Sequence, residues 1–342
     1  MIIRARAPLR LGLGGGGTDL SPYCDQHGGA VLNVTIDLYA YTILEPADDG
    51  RVRFHAADLQ AEFEAPADAQ MDAAGPLVLH RAVYARIVRQ FNGGRPLPCR
   101  ITTFCDAPPG SGLGTSSTLV VSLLKAFVEW LNLPLGEYEI AHLAYEIERI
   151  DAGLAGGRQD QYAATFGGVN FMEFAAGDRV IVNPLRIKNW IVSEMETSLL
   201  LFDLGASRHS ATIIREQTNN LVAASGDTLN ALHAIKQTAY DMKDCLLRGD
   251  VDRFAGCMRA AWDAKKRLAG GVTNPQIDRV VAAGLGAGAR AGKVSGAGGG
   301  GFVTFLVQPE RRMDVVRALA QEDGRAMPCH FTAHGTEGWK IL

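Results

Sequence analysis

The sequence has no run of about 18 uninterrupted apolar residues, so no membrane-spanning helix is expected. It has no basic excess either, with a formal net charge of −3. Nucleic acid and anionic membranes both demand a positive face, so neither is expected as a partner. The six cysteines (Cys24, Cys99, Cys105, Cys245, Cys257 and Cys329) form no CxxC pair and no Cys/His run of zinc-ligand spacing. They read as buried free thiols of a reducing compartment. The opening residues, Met1-Ile2-Ile3-Arg4-Ala5-Arg6, carry charge where a secretory signal needs an apolar run, and a cytoplasmic location is expected. No internal repeat and no long polar linker interrupts the 342 residues. Their 47% apolar and 21% charged content suits a globular chain of about two domains.

What the sequence has in excess is glycine. Its 39 glycines cluster: five of the six positions from Gly12 to Gly17, then Gly110, Gly112 and Gly114, then Gly296 with Gly298 to Gly301. Three such clusters can converge on one ligand, because glycine permits close backbone approach. Around them, alternation and β-branched content predict strands over 2–11, 30–45 (with a bend near Asp37), 99–106, 168–174, 197–204 and 302–307, and a hairpin over 51–64. Helices are predicted over 77–92, from Thr115 to about 131, over 137–150 and 158–165, and then through most of 208–285 and over 310–322. The segment after Thr115 is apolar almost all round and reads as a buried helix. Strands and helices mix without clean βαβ alternation, which favours an α+β fold in two domains, divided near 184–197.

The second cluster, Pro108-Pro109-Gly110-Ser111-Gly112-Leu113-Gly114-Thr115-Ser116-Ser117, opens that helix. A glycine-rich turn at a helix start aims several backbone N–H groups at one point, and the helix dipole adds positive potential there, which suits a polyphosphate. It is not a Walker loop, since no lysine is present. The alternative is an ordinary N-cap after a tight turn. The first cluster satisfies GxGxxG after a strand, with Asp37 about 20 residues on. A dinucleotide fold needs a helix between them, and residues 18–30 hold Pro22, Gly28 and Gly29 instead. A loop presenting Arg10, Thr18 and Asp19 to a ligand is the better reading. Asp19 can accept two hydrogen bonds from vicinal hydroxyls, or close a turn on itself. The third cluster, Lys293 to Phe302, is either a flexible hairpin or a backbone that closes over a ligand. Two acids stand out further along. Glu148 lies near the end of an amphipathic helix, where a solvated charge is the common outcome. Asp160, in Gly156-Gly157-Arg158-Gln159-Asp160-Gln161, fits a ligand-facing loop or a helix cap. His27 and His209 lie in loops, where structural roles compete with catalytic ones.

These clusters, in this order, resemble the GHMP kinase superfamily of galactokinase, homoserine kinase, mevalonate kinase and phosphomevalonate kinase. The likeness spans nearly the whole chain. Within the superfamily it is greatest to the D-glycero-D-manno-heptose 7-phosphate kinases. It is carried by Gly15-Gly16-Gly17-Thr18-Asp19, His27-Gly28-Gly29-Ala30-Val31-Leu32, Gln159-Asp160-Gln161 and Gly205-Ala206-Ser207-Arg208. The kinase domain of L-fucokinase shares much of the pattern. The resemblance implies a two-domain α+β fold. Residues 1–190 would form a ribosomal-protein-S5-like α/β domain and 191–342 a ferredoxin-like α+β domain.

It also implies ATP and Mg²⁺, a small sugar-phosphate substrate phosphorylated at its anomeric hydroxyl, and a monomer or homodimer. Backbone from Pro109 to Ser117 (Pro109, Gly110, Ser111, Gly112, Leu113, Gly114, Thr115, Ser116, Ser117) would cradle the ATP phosphates. Ser116 and Glu148 would hold Mg²⁺, Asp160 would act as base, and Arg10 would orient Asp160. Gly17, Thr18, Asp19, His27, Gly157, Arg158, Gly298 and Gly299 would line the sugar, with Arg208 (alongside Arg158 or His209) taking the substrate's own phosphate. Thr115 stands where the family usually has serine, and Ser117-Thr118 where it has a small apolar pair. Which of Thr115, Ser116 and Ser117 reaches the metal is therefore open. Gly15-Gly16-Gly17 stands where galactokinase has an acid and a histidine, so galactose is not expected. A kinase for an unphosphorylated, fucose-like sugar and a non-catalytic sugar–ATP sensor on the same fold are the competing readings. The family likeness points to nucleotide-activated heptose synthesis for a bacterial surface glycan.

Overall fold

The computed structural model describes residues 1–71, 75–205, 210–222 and 226–341; the expectations for Arg208 and His209 lie outside them. The first half of the chain runs β1 (Ile2–Gly14), α1 (Tyr23–His27), β2 (Gly29–Pro46), β3 (Arg51–Ala56), β4 (Ala61–Pro66), α2 (Val78–Phe91) and β5 (Cys99–Cys105). It continues with α3 (Thr115–Leu131), α4 (Glu137–Glu146), α5 (Gln159–Phe166), β6 (Val169–Phe174) and β7 (Val180–Pro184). The second half runs α6 (Asn189–Ser198), β8 (Leu199–Asp203), α7 (Ser210–Val222), α8 (Gly226–Arg248), α9 (Val251–Lys265) and α10 (Pro275–Gly286). It ends with β9 (Ala289–Val294), β10 (Phe302–Val307), α11 (Arg312–Leu319), β11 (Arg325–Pro328) and β12 (Glu337–Ile341).

Two sheets result. The larger has the order β12-β1-β2-β5-β3-β4, with β6 and β7 continuing from β2. Its pairings are antiparallel except for the parallel β3–β5 contact. The smaller is antiparallel with order β11-β8-β10-β9, the strand order of a ferredoxin-like unit. The α+β reading therefore holds. The division expected at 190/191 separates the two sheets only if β12 is counted with the first, because Ile2 to Arg6 pair with Glu337 to Ile341. The expected bend near Asp37 is a bulge: Pro8 faces Tyr39, but Arg10 faces Thr35. The dinucleotide alternative fails on topology. After the first glycine loop comes a five-residue helix and then antiparallel β2, not a crossover to a parallel strand.

Helix α3 is buried nearly all round, as its composition requires, and even Ser122 is spent internally, sharing a 2.8 Å hydrogen bond with Thr42 of β2. Alternation along β1 sorts its side chains. Leu9, Leu11 and Leu13 enter a core shared with Met195, Ala239, Phe254 and Met258 of the second half. Arg10, Gly12 and Gly14 face the other way, into a cleft between the halves. Among the strands and helices that the sequence did not announce, α1, β7 and β9 are short or rich in small residues. In β9, Gly292 is required by packing, since a Cβ there would lie 2.8 Å from the Phe305 ring.

At the end of α4 the backbone widens into one π-helical turn, Ile147–Asp151, a feature that recurs at functional sites. Arg86 of α2 clasps that turn from both ends, 2.7 Å from Glu146 and 2.7 Å from Asp151. Its guanidinium is 10% exposed, and the two acids are 33% and 22% exposed. Arg86→Ala is expected to lower the unfolding free energy by about 2 kcal/mol, less than a fully buried pair would cost because both acids keep some solvent. A urea midpoint matching the unsubstituted protein would show that the clasp does not hold the turn.

Candidate active site

The cleft encloses about 200 Å³ and is lined by all three glycine clusters. The second cluster supplies one wall. Gly110, Gly112 and Gly114 all have positive φ, which turns the chain so that α3 begins at Thr115 facing the cleft. Gly114 precedes the helix without a side-chain cap, and the first intrahelical N–H is that of Thr118, bonded to the Gly114 carbonyl. The amides of Thr115, Ser116 and Ser117 are thus left for a ligand, at the positive end of a 17-residue helix. Of the expected cradle, Gly110, Gly112, Gly114, Thr115, Ser116 and Ser117 line the cleft. Pro109, Ser111 and Leu113 do not; Leu113 is fully buried, and Ser111 Oγ bonds Thr115 Oγ1 at 2.8 Å.

The third cluster closes on the second, backbone against backbone. A Cβ on Gly112 would lie 2.5 Å from the Ser295 carbonyl, and one on Gly296 2.6 Å from the Gly112 Cα. Phe302 N donates to the Ser111 carbonyl at 3.0 Å. Much of the glycine density at 296–301 thus serves loop-to-loop packing. Gly298 and Gly299, expected against the sugar, instead abut Val272: a Cβ on Gly298 would strike its carbonyl, and Gly299 N donates to it at 2.9 Å. They do not line the cleft, whereas Gly296 and Ala297 do.

Asp160 stands in the first turn of α5, against Gly114 at the start of α3. Its Oδ1 accepts from Arg10 Nε at 2.7 Å and Nη2 at 2.6 Å, while Arg10 Nη1 donates to the Gly112 carbonyl at 2.6 Å. Arg10 is 5% exposed and Asp160 20%. One guanidinium therefore joins β1, the glycine turn and α5. Asp160 Oδ2 has no hydrogen-bond partner and lies 3.4 Å from where a Cβ on Gly114 would sit.

Asp19 takes a different part from the one expected. Its Oδ2 accepts from Arg158 N at 3.0 Å and Gln159 N at 3.1 Å, and its Oδ1 from Gln159 Nε2 at 3.1 Å and Gly17 N at 3.2 Å. Four donors fill a carboxylate's acceptor sites. Asp19 thus caps α5 from across the cleft and holds Asp160 in position, which leaves no free lone pair for a vicinal diol. Gly157 exists for this contact, since its Cβ would meet Asp19 Oδ2 at 2.0 Å. Thr18 is fully buried, bonded to the Gly15 and Ala30 carbonyls. Arg158 points away from the cleft, paired with Asp178 at 2.8 Å and lying over the Tyr145 ring. His27 also lies off the cleft, its ring 5.1 Å from that of His233.

Ser116 and Glu148, the expected metal donors, both line the cleft, but the hydroxyl bonded to Glu148 is that of the next residue. Ser117 Oγ donates to Glu148 Oε2 at 2.6 Å, on the side of α3 that meets the π-helical turn. Glu148 is 2% exposed, bonded also by Gln161 Nε2 at 2.7 Å and by Arg149 at 3.2 Å. Beside it the buried Gln161 Oε1 has no hydrogen-bond partner. One carboxylate, one hydroxyl and an orphaned amide oxygen suit a hard cation that completes its shell with water and phosphate oxygens, as Mg²⁺ does. Among the described residues there is no cluster of three acids, histidines or cysteines that could hold a metal without such help.

Two lysines complete the cleft. Lys293, from the third motif, donates to the Gly12 and Leu13 carbonyls at 2.6 and 2.7 Å. Lys265, which the sequence reading missed, comes from the last turn of α9, shares the cleft-facing side with Ala261 and Trp262, and donates to the Gly296 carbonyl. A single lysine ending an amphipathic helix offers no sequence signal. Burial, with the Arg10 charge beside it, pushes the Lys265 ammonium down to about 8, while Asp19 and Asp160 pull it up. Burial, with the Lys265 and Arg10 charges, pushes Lys293 down to about 7. Both groups bind fewer protons folded than unfolded up to the ordinary value of 10.5, so they raise stability of the free protein as pH climbs through that window. Over the same window the cleft loses positive charge. ATP affinity measured by calorimetry is expected to fall about 10-fold between pH 7 and 9, with proton uptake on binding. Lys265→Arg, which keeps its charge, should flatten that fall. A flat profile in the unsubstituted protein would remove the lysines from anion binding.

Residues 78–168 match the family described as GHMP kinases N terminal domain, and residues 242–326 that described as GHMP kinases C terminal. The chain is 47% identical over 341 residues, 99% of both chains, to the D-glycero-alpha-D-manno-heptose 7-phosphate kinase of Campylobacter jejuni. A solved structure described as a D-glycero-D-manno-heptose 1-phosphate kinase from Bacteriodes thetaiotaomicron superimposes with a TM-score of 0.85 at 47% identity, covering 99% of each chain. The L-fucokinase/L-fucose-1-P guanylyltransferase of Bacteroides fragilis is 27% identical over 94% of this chain and 36% of its own.

Proposed function

This chain belongs to the GHMP kinases, and from that premise we propose that it transfers the γ-phosphoryl group of ATP to the anomeric hydroxyl of D-glycero-D-manno-heptose 7-phosphate, giving the 1,7-bisphosphate. The observation that carries the reading is the Arg10–Asp160 pair set against Gly112 and Gly114 at the open N-terminus of α3. The phosphates of ATP bind the amides of residues 115–117, where the helix dipole and the glycine turn already favour negative charge. Ser117 and Glu148, with the Gln161 amide oxygen beside them, would hold a Mg²⁺, which would supply positive charge to offset that of the phosphates.

The acceptor's C1 hydroxyl faces Asp160 Oδ2, the carboxylate oxygen that Arg10 leaves free. As the sugar oxygen bonds to the γ-phosphorus, the bond from phosphorus to the β,γ-bridging oxygen breaks, ADP departs, and the hydroxyl proton passes to Asp160. An anomeric hydroxyl is more acidic than an ordinary alcohol, so a carboxylate can take its proton late in the transition state. Little covalent help is needed beyond this, because phosphoryl transfer depends on alignment and charge neutralisation. Arg10 does both: it fixes Oδ1, and it lies between Asp160 and the loop that binds the phosphates. Lys265 and Lys293 supply further positive charge on the same side.

An ADP-release assay over free sugars and sugar phosphates tests the substrate. Turnover with the heptose 7-phosphate, and little with fucose or unphosphorylated heptose, is expected. The reverse ranking would favour a fucokinase-like enzyme, and no turnover with any sugar would favour a sensor. Asp160→Asn is expected to lower kcat by roughly two to four powers of ten with little change in ATP affinity. A kcat close to that of the unsubstituted protein would remove Asp160 from the role of base.

A further inference from the structure

A second recess of about 250 Å³ opens beside the main cleft, and the two share Asp19, Leu20, Ala155, Gly156 and Ile214 along their common border. Its far wall is α7. On that helix Ile214 and Thr218 lie one turn apart, as do Arg215 and Asn219, so the two pairs form adjacent rows. Ile214 faces both cavities, whereas Arg215 and Asn219 face only the recess. The opposite wall brings Ser21 and Tyr145.

Among the described residues, Arg215 is the only cation that lines the recess, and it forms no ion pair and no hydrogen bond with any of them. Every other cation described around the Asp19 loop is engaged: Arg10 by Asp160, Arg149 by Glu148, and Arg158 by Asp25 and Asp178. The recess has one acid, Asp19, and its two oxygens already accept four protein N–H bonds. An unpaired guanidinium facing a cavity with hydroxyl and amide groups, and with its only carboxylate fully hydrogen-bonded to protein N–H groups, is a site for a dianion. Guanidinium matches phosphate oxygens in a two-pronged geometry.

We propose that this recess, with Arg215 at its wall, holds the acceptor sugar's own phosphate while the anomeric end lies at Asp160. The assignment rests on the sugar-phosphate reading above and adds where the distal phosphate goes. It separates two anion sites by chemistry. The transferred phosphoryl group meets backbone amides, Arg10 and the metal. The resident phosphate meets a side-chain guanidinium from the second half of the chain. The border residues are small or apolar, so the sugar passes between the two sites without a charged barrier other than the capped Asp19.

The test is steady-state kinetics on the full-length protein with D-glycero-D-manno-heptose 7-phosphate and with the same heptose lacking the phosphate. Arg215→Ala is expected to raise KM for the phosphorylated acceptor about 10- to 100-fold, the range for losing a charged hydrogen bond. KM for ATP and for the free heptose should stay within about 2-fold, and kcat should change little, as expected when ground state and transition state lose the same contact. Arg215→Lys should recover part of the loss. Asn219→Asp, which adds a negative charge on the same face, should raise KM for the phosphorylated acceptor alone. Thermal melting of each variant checks the fold, and Arg215 is exposed, so melting points close to that of the unsubstituted protein are expected. If Arg215→Ala and Asn219→Asp leave KM for the phosphorylated acceptor unchanged, or raise it equally for both acceptors, the recess is not the phosphate site. If the unsubstituted protein itself shows no preference for the phosphorylated acceptor, the substrate reading fails first, which separates the two outcomes.

Discussion

The three bonds of Arg10 organise the cleft. Two of its nitrogens hold one oxygen of Asp160, and the third holds the Gly112 carbonyl. A nearly buried guanidinium is tolerable only when its donors are satisfied. Here satisfaction requires strand β1, the glycine turn and helix α5 to meet within one side chain's reach. The conformations of the neighbours follow. Gly112 has positive φ, and a Cβ on it would collide with the Ser295 carbonyl. Gly114 leaves room for the Asp160 carboxylate. Asp19, by capping α5, fixes the other side of the same acid. The position of Asp160 is therefore fixed twice, by Arg10 at its carboxylate and by Asp19 at the start of its helix.

The same arrangement stores positive charge where a ligand's anions would otherwise find none. Burial lowers the proton affinity of Lys265 and Lys293, and the Arg10 charge lowers both further, with Lys265 adding to the effect on Lys293. In the free protein this costs stability, and the apolar core that joins β1 and β2 to α6, α8 and α9 offsets it. Bound phosphates remove the repulsion. Charges fixed in advance by the fold need not reorganise during transfer, and such preorganisation is a principal source of catalysis in phosphoryl chemistry.

Much of this was legible in the sequence because glycine marks backbone geometry. The three clusters foretold three loops that meet, and the helix after Thr115 was evident from its unbroken apolar run. The Arg10–Asp160 pair came from the family likeness and is formed as that likeness implied. What sequence could not separate was why each glycine is there. Gly157 makes way for Asp19 and Gly298 for Val272, so glycines that looked ligand-facing serve packing. The choice among Thr115, Ser116 and Ser117 depended on where α3 begins, since one residue of phase moves a hydroxyl by about 100°. Once the helix is seen to start at Thr115, Ser117 is the one turned toward Glu148. Asp19 shows the limit of reasoning from acceptor capacity alone: an exposed aspartate in a loop offers lone pairs, and a buried one has already used them.

The two sides of the cleft are built from different materials, and that difference bears on how such enzymes vary. The nucleotide side is backbone: amides at the start of α3, carbonyls of the third motif against the second, and glycines that admit no side chain. A substitution there disturbs two loops at once, so its chemistry has little freedom to change. The recess side, where the acceptor is proposed to lie, is made of side chains from both halves of the chain, among them Ile214 and Arg215 on α7 and Tyr145 on α4. Exchanging one of these alters a contact without moving the backbone. Relatives named for a heptose phosphate and for fucose both retain sequence likeness across most of this chain. A fixed phosphate wall facing an exchangeable acceptor wall is the physical arrangement that allows one scaffold to serve both.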